Sequence, residues 1–253
     1  MNRKMPLIFV WTLLLAGSIA VPGPAEAQVQ AKSTWEQVMS TRKLRSGVLD
    51  AAPYWYRDKG QWKGAMVTMS KDIAEQLGVE LELVEVGGWG QVVLELQSNR
   101  IDIMFSVQAT PARAKAVDFA GPVYWISFIT VNNKNFKSAP NWSDYNSPDV
   151  KMAVTLGSAN ETILRKMAPK ATVQALTKNP EIIMSVVSGR SDALVTTSMA
   201  GLIFKKENPE FGEFVVPKPE VALPGYIGLR QDVGDDRMKR FLNFYILHGQ
   251  LKK

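Results

Sequence analysis

In the stretch SVQATPARAKAVDF, residues 106–119, the residue type that can do chemistry is Arg113. Thr110 suits a helix N-cap, and Pro111 suits the first helical position, where its missing N–H and fixed φ do no harm. That spacing puts Arg113 in the first turn. A helix N-terminus carries positive partial charge, so an exposed cation there is disfavoured by about 0.3–1 kcal/mol. Two readings are open. Either the guanidinium is solvated and the cost is small, or an anion stands in front of it. A guanidinium offers a two-pronged fit to a carboxylate, and helix N–H groups behind it add to the attraction. Ser106 and Gln108 flank it with further hydrogen-bonding groups.

Other candidate groups follow predicted strands. Asp50, Tyr54 and Trp55 come after the first one, and the aromatic faces suit an aliphatic stem or a ring as well as ordinary loop packing. Ser158-Ala159-Asn160-Glu161 has the capping-box pattern S-x-x-E, which explains Ser158 and Glu161 structurally. The same helix start, with Asn160 in it, can still offer amides to an anion. Catalytic sets are sparse. His248 is the single histidine, so no multi-histidine metal site can form, and it reads as a surface or packed residue of the last helix rather than as a triad base. Gly87-Gly88-Trp89-Gly90 reads as a turn between a strand and a helix, and no phosphate-binding glycine motif occurs. No cofactor, metal or catalytic residue is expected, and the chain is not read as an enzyme.

The elements that must carry these groups alternate. GVL (47–49) reads as a strand and AAPYWYRDKGQWKG as a turn-rich stretch after it. MVTMSKDIAEQLG reads as an amphipathic helix through Met66, Met69, Ile73 and Leu77, stopped by Gly78. VELELVEV is an alternating strand, QVVLELQSN a helix and IDIMFSV a buried strand. The order recurs as KMAVTL, GSANETILRKM, ATVQAL, NPEIIMSVVSG and DALVTT. LQSNRIDIMFSVQAT (96–110) lies over VVSGRSDALVTTSMA (186–200) at a constant offset, aligning Ser98 with Ser188, Arg100 with Arg190 and Asp102 with Asp192. The expected fold is α/β, with two similar lobes, each a mixed, mostly parallel sheet flanked by helices, joined by two hinge strands. VYWISFITVNN (123–133) and ALPGYIGLR (222–230) are the crossovers, and residues 133–149 read as a surface loop. The expected boundaries are residues 28–125 plus 225–253 for lobe 1 and 126–224 for lobe 2. A cleft between such lobes is where a binding site belongs.

Of the 253 residues, the first 27 read as a secretory signal. Arg3 and Lys4 precede the apolar run PLIFVWTLLLAGSIAV, and Ala25-Glu26-Ala27 supplies a small-residue cleavage site near Ala27. Periplasmic location is the expectation. There are no cysteines, which excludes disulfides, thiolate metal sites and a cysteine nucleophile. The formal charge of +6 is spread among acids. With no basic aromatic stripe, nucleic acid is not an expected partner.

The pieces GVLDAAPYW, KDIAEQLGVELELV, LELQSNRIDIMFSVQATPARAKAVDFAGPVYW, TLGSANETIL and SGRSDALVTT cover most of residues 44–200. On these the chain resembles the amino-acid-type bacterial extracellular solute-binding proteins of family three, which have the type II periplasmic-binding-protein fold. The most specific piece is ATPARAKAVDF with its following Pro and aromatic pair. The resemblance implies a monomeric receptor that closes on a small carboxylate ligand and presents it to an ABC-type inner-membrane permease. It implies that Arg113 grips an α-carboxylate, that Tyr54 or Trp55 covers the ligand side chain, and that the Ser158 loop completes the cage. It also implies a longer last helix than the one ending at HGQLKK.

The chain departs from the family pattern at several places. Where the family carries an aspartate for the ligand α-ammonium, Thr197 stands; where it often has Ser or Thr, Gln108 stands; and Gly64-Ala65-Met66 replaces G-F-D. Plain amino acids, N-modified amino acids, opines and other organic acids therefore all remain open as ligands, with Asp50 or Glu161 as substitute acids. Two alternatives use the same scaffold. One is a cyclohexadienyl or arogenate dehydratase-like enzyme, which needs a general acid in the cleft. The other is a sensor or accessory binding protein without transport.

Overall fold

The computed structural model describes residues 32–137 and 140–248; the expected signal segment and the final GQLKK lie outside them. The chain runs α1 (Thr34–Thr41), β1 (Lys43–Val48), β2 (Tyr56–Asp58), β3 (Gln61–Lys63), α2 (Ala65–Leu77), β4 (Glu80–Glu85), α3 (Val92–Gln97), β5 (Ile103–Gln108) and α4 (Pro111–Ala114). It continues through β6 (Val117–Asn133), α5 (Trp142–Tyr145), β7 (Lys151–Thr155), α6 (Ala159–Met167), β8 (Thr172–Leu176), α7 (Asn179–Val187) and β9 (Ala193–Thr197). It ends with α8 (Ser198–Glu207), β10 (Phe211–Val215), β11 (Val221–Arg230) and α9 (Arg237–His248).

Apart from β2 and β3, the strands form one sheet in the order β4-β1-β5-β11-β6-β9-β7-β8, with β10 on β6. Each lobe repeats one plan. In the first, β1 pairs in parallel with β4 and β5, and β11 lies antiparallel on β5. In the second, β7 pairs in parallel with β8 and β9, and β6 lies antiparallel on β9. The long strand β6 runs roughly 55 Å at the usual rise per residue, enough to pass through both lobes. Its first part pairs with β11, from Val117↔Arg230 to Phe128↔Val221.

The cores follow this plan. One cluster joins Val48, Ile103, Phe105, Val117, Ile227 and, from α9, Leu242. In the second lobe, successive strand residues face opposite ways. Met152, Val154, Ala193, Val195 and Phe128 belong to one cluster; Ala153, Leu194, Ile129 and Val131 belong to another. Both faces of that sheet are therefore covered, as a parallel sheet carrying βαβ crossovers requires. The α2 helix behaves as its pattern predicts, burying Met66, Ile73 and Leu77, with Gly78 in the left-handed conformation as its stop.

Three local expectations change. The turn-rich 51–64 contains a hairpin, β2–β3, closed by Lys59 and Gly60 with φ of 50° and 80°, a pair of positive values suited to a type I′ turn. The loop 133–149 is not all surface. Trp142 and Tyr145 are buried on the second lobe, with Trp142 Nε1 donating to the Pro219 carbonyl (3.1 Å) and the Tyr145 hydroxyl 2.9 Å from Thr130 Oγ1. Residues 198–215, unassigned from the sequence, form α8 and β10.

Candidate functional site

The ends of β1, β5, β7 and β9 meet at one place, at the carboxyl edge of the parallel strands where open α/β sheets hold ligands. Strand β5 is buried along its whole length. At Ser106 its backbone turns left-handed, φ 60°, a conformation costing roughly 1–3 kcal/mol in a residue other than glycine. The Ser106 hydroxyl lies 2.6 Å from the Tyr124 hydroxyl on β6. Gln108 is also buried; its Nε2 donates to the Ser106 carbonyl at 2.8 Å, which spends its side chain inside β5.

Thr110 caps α4 by accepting from Arg113 N–H at 3.3 Å, as its type predicts. The helix is only four residues long, however. Arg113 thus stands as near the C-terminal end as the N-terminal one, and neither the expected dipole penalty nor the expected pull on an anion applies. Three carbonyl oxygens hold the guanidinium instead: Gln108 at 3.3 Å, Trp89 at 3.5 Å and Gly157 at 3.3 Å. All are long for charged hydrogen bonds, which favour about 2.7–2.9 Å. Among the described residues no carboxylate pairs with Arg113. Burial lowers its pKa from the ordinary guanidinium value.

The Gly157 contact crosses from one lobe to the other. There the backbone of Gly157 (φ 70°) meets that of Gly90 so closely that a Cβ on Gly157 would lie 2.7 Å from Gly90 Cα. The glycine-rich 87–90 segment is a turn, as read, but its carbonyl at Trp89 and its closeness at Gly90 also make it part of the site. A second crossing contact joins Asn179 Nδ2 to the Asp50 carbonyl at 3.3 Å.

The aromatic pair separates. Trp55 is fully buried in the first core, beside Trp89 at 6.1 Å between ring centroids, and its indole N–H has no acceptor among the described residues. Tyr54 is half-buried, with its ring 5.7 Å from that of Tyr124. Burial raises the Tyr54 phenol above its ordinary value, tempered by hydrogen bonding to Thr197 and Tyr124. Burial also raises Tyr124 well above the ordinary phenol value, with Tyr54 adding to it. Gly64 makes the Tyr54 loop possible. The carbonyl of Tyr54 accepts from Met66 N–H at 3.2 Å, and a Cβ on Gly64 would fall 2.2 Å from that oxygen.

In the second lobe, Ser158 caps α6, accepting from Glu161 N–H at 3.4 Å and donating to the Thr155 carbonyl at 2.6 Å. The expected capping box closes one residue early: the Glu161 carboxylate takes Gly157 N–H (2.8 Å) rather than that of Ser158. Arg165 binds the same carboxylate at 2.8 Å, so Glu161 is already committed as an acid. Asn160, second in α6, is half-buried and makes no side-chain hydrogen bond among the described residues. Thr197 ends β9 and caps α8 through Ala200 N–H at 3.4 Å. The Asp50 side chain is exposed.

Ser106, Gln108, Arg113, Tyr54, Thr197 and the Ser158 loop are thus drawn together, and Trp55 goes to the core. Sequence reasoning missed Tyr124 as a site group. It passed over Trp89 and Gly157 too, because a backbone carbonyl leaves no mark on residue type.

Residues 44–216 match the bacterial extracellular solute-binding proteins, family 3. The chain belongs to that family. This family 3 protein is 25% identical over 218 residues to the arginine-binding extracellular protein ArtP of Bacillus subtilis (strain 168), covering 84% of each chain. It is 23% identical to the cyclohexadienyl dehydratase of Pseudomonas aeruginosa, over 96% of this chain and 90% of that one. Among solved structures, it superposes on the ancestral amino acid-binding protein AncCDT-1, described as a precursor of cyclohexadienyl dehydratase. The TM-score is 0.77 and the identity 32%, over 87% of this chain and 94% of that chain. The family 3 fold, with two α/β lobes joined by β6 and β11, is the one expected from the repeat.

Proposed function

We propose that this protein is a periplasmic receptor that closes two lobes on a carboxylate-bearing small molecule, an amino acid or a relative of one, and delivers it to an ABC-type permease as a monomer. The observation that carries this reading is Arg113. It is half-buried, faces only carbonyls, and reaches from the end of β5 to Gly157 in the other lobe. A carboxylate placed there replaces long neutral contacts with a two-pronged charged pair and ties both lobes to one ligand. We place the hinge at residues 123–128 and 222–226, where β6 and β11 run side by side, and the lobe boundaries at 125/126 and 224/225. Removal of residues 1–27 on export completes the reading. The amino-acid ligands of ArtP and AncCDT-1 support it.

A dehydratase reading finds less support. Its proton donor would have to come from phenols that burial makes weaker acids, or from Glu161, which already binds Arg165. The test is mass spectrometry of the ligand that co-purifies, followed by small-angle scattering of the stripped protein with and without that compound. The radius of gyration should fall on saturation. An unchanged scattering curve would reject hinge closure, and turnover of prephenate or arogenate would reject the receptor.

A further inference from the structure

A continuous run of polar groups leads from Arg113 to Thr197. Arg113 donates to the Gln108 carbonyl (3.3 Å), Gln108 Nε2 to the Ser106 carbonyl (2.8 Å), and the Ser106 and Tyr124 hydroxyls meet at 2.6 Å. Tyr54 then faces both Tyr124 and Thr197. Beyond Arg113 every member is neutral, and the buried phenols stay protonated because burial raises their pKa. The acids nearest in the chain are paired or solvated. Glu161 holds Arg165 and Gly157 N–H, Asp118 holds Lys239, and the Asp50 side chain is exposed. The site therefore presents one cation and a row of hydroxyls.

We infer that the ligand is a carboxylate without a positively charged nitrogen, bearing a hydroxyl, keto or amide group where an amino acid bears its ammonium. This rests on the receptor reading above. A monoanion brings the closed site to zero charge. A zwitterion leaves it at +1: its carboxylate goes to Arg113, and its ammonium is shut into the same desolvated space with no protein carboxylate to pair with. An ammonium also brings only donors, and the hydroxyls of Ser106, Tyr124, Tyr54 and Thr197 offer it neutral acceptors alone. A hydroxyl both donates and accepts, which matches Ser106, Tyr124, Tyr54 and Thr197.

The experiment is calorimetry on the stripped, full-length protein with sets that share a side chain: L-phenylalanine, L-phenyllactate and N-acetyl-L-phenylalanine; the corresponding leucine set; and L-glutamine with N-acetyl-L-glutamine. In at least one set a compound without the ammonium should bind roughly tenfold or more tightly than its amino acid, given the several-kcal/mol scale of an unpaired buried charge. An amino acid that binds as tightly as its ammonium-free partners, or more tightly, overturns the inference and leaves the receptor reading standing. If no member of any set binds, the carboxylate-receptor reading falls and takes the inference with it. Thr197→Asp gives a second readout, because aspartate is itself a good N-cap and α8 stays capped. It should shift the preference about tenfold toward the amino acid, since it supplies the missing partner charge. A ratio unchanged from wild type would overturn the placement of Thr197 beside the α-substituent.

Discussion

The stretches 96–110 and 186–200 began as one pattern and finish differently. In both, a serine ends a helix: Ser98 N–H meets the Leu94 carbonyl and Ser188 N–H the Met184 carbonyl. In both, the next residue is left-handed, Asn99 at φ 61° and Gly189 at φ 76°. In both, an aspartate then ties the turn to the first strand of its lobe. Asp102 exchanges bonds with the Arg45 backbone, and Asp192 does so with the Lys151 backbone, in each case accepting at 2.7 Å through the side chain and donating at 2.8 Å through the N–H. The two diverge at the far ends of their strands. The first passes Ser106 and Gln108 to reach Arg113; the second stops at Thr197, which starts a ten-residue helix. Shared scaffold positions hold the fold, and the strand ends are where chemistry was free to differ.

The largest effect should come from the two aspartates, which do the same backbone job with different side-chain partners. The Asp102 carboxylate is fully buried and also binds the Arg45 guanidinium at 2.6 Å, with Arg45 20% exposed. Removing one member of a buried pair costs about 3–5 kcal/mol. The lower end applies to Asp102→Ala, because Arg45 keeps the Asn99 carbonyl and side chain. Asp192→Ala loses a single charge-assisted bond to Lys151 N–H, about 1.5 kcal/mol. For a chain of this size these correspond to Tm decreases of roughly 6–12 °C and 3–6 °C. Equal decreases in calorimetry would show that the Arg45 pair adds nothing to the shared backbone role.

Next in size is the loss of binding in Arg113→Ala. Removing the charged partner of a desolvated carboxylate costs roughly 2–5 kcal/mol, a fall in affinity of about thirtyfold or more. Tm without ligand should move little, because three long carbonyl contacts are all the folded chain loses. Affinity within threefold of wild type for the co-purified ligand would place the anion site elsewhere.

What could be read in advance follows from what residue types encode. The helix stop at Gly78, the cap at Thr110 and the offset repeat were legible because each depends on a residue type at a fixed spacing. The helix-start argument for Arg113 does not hold in the fold: α4 is a single turn, and the chain returns at once into β6. Tyr54 and Trp55 could not be told apart, since adjacent loop residues carry no period to say which faces the core. Tyr124 lay hidden in an apolar stretch whose alternation only the pairing of β6 with β11 reveals, while its neighbour Trp125 points outward, 68% exposed. The buried Trp142 and Tyr145 were masked by the polar residues around them.

The smallest effect tests the two threonine caps against each other. Thr197 serves α8, which buries Gly201 and Phe204 against the second lobe; Thr110 serves α4, which buries nothing. Removing an N-cap hydroxyl costs about 0.5–2 kcal/mol where the helix is worth holding. Thr197→Ala should therefore lower stability by about 1 kcal/mol, because α8 cannot fray without uncovering its packed face. Thr110→Ala should fall below about 0.5 kcal/mol, the lower edge of the capping range, because a single exposed turn has little to lose. Both losses should weaken binding of the ligand proposed above, Thr197→Ala by removing a hydroxyl that faces its α-substituent. Thr110 fixes the backbone N–H of Arg113 itself, so its loss should weaken carboxylate binding several-fold through the aim of the guanidinium. Denaturant melts of the two variants beside calorimetric titrations decide it. If Thr197→Ala costs no more stability than Thr110→Ala, then Thr197 is held by the cleft rather than by its helix, and the two strand ends are more alike than their packing indicates.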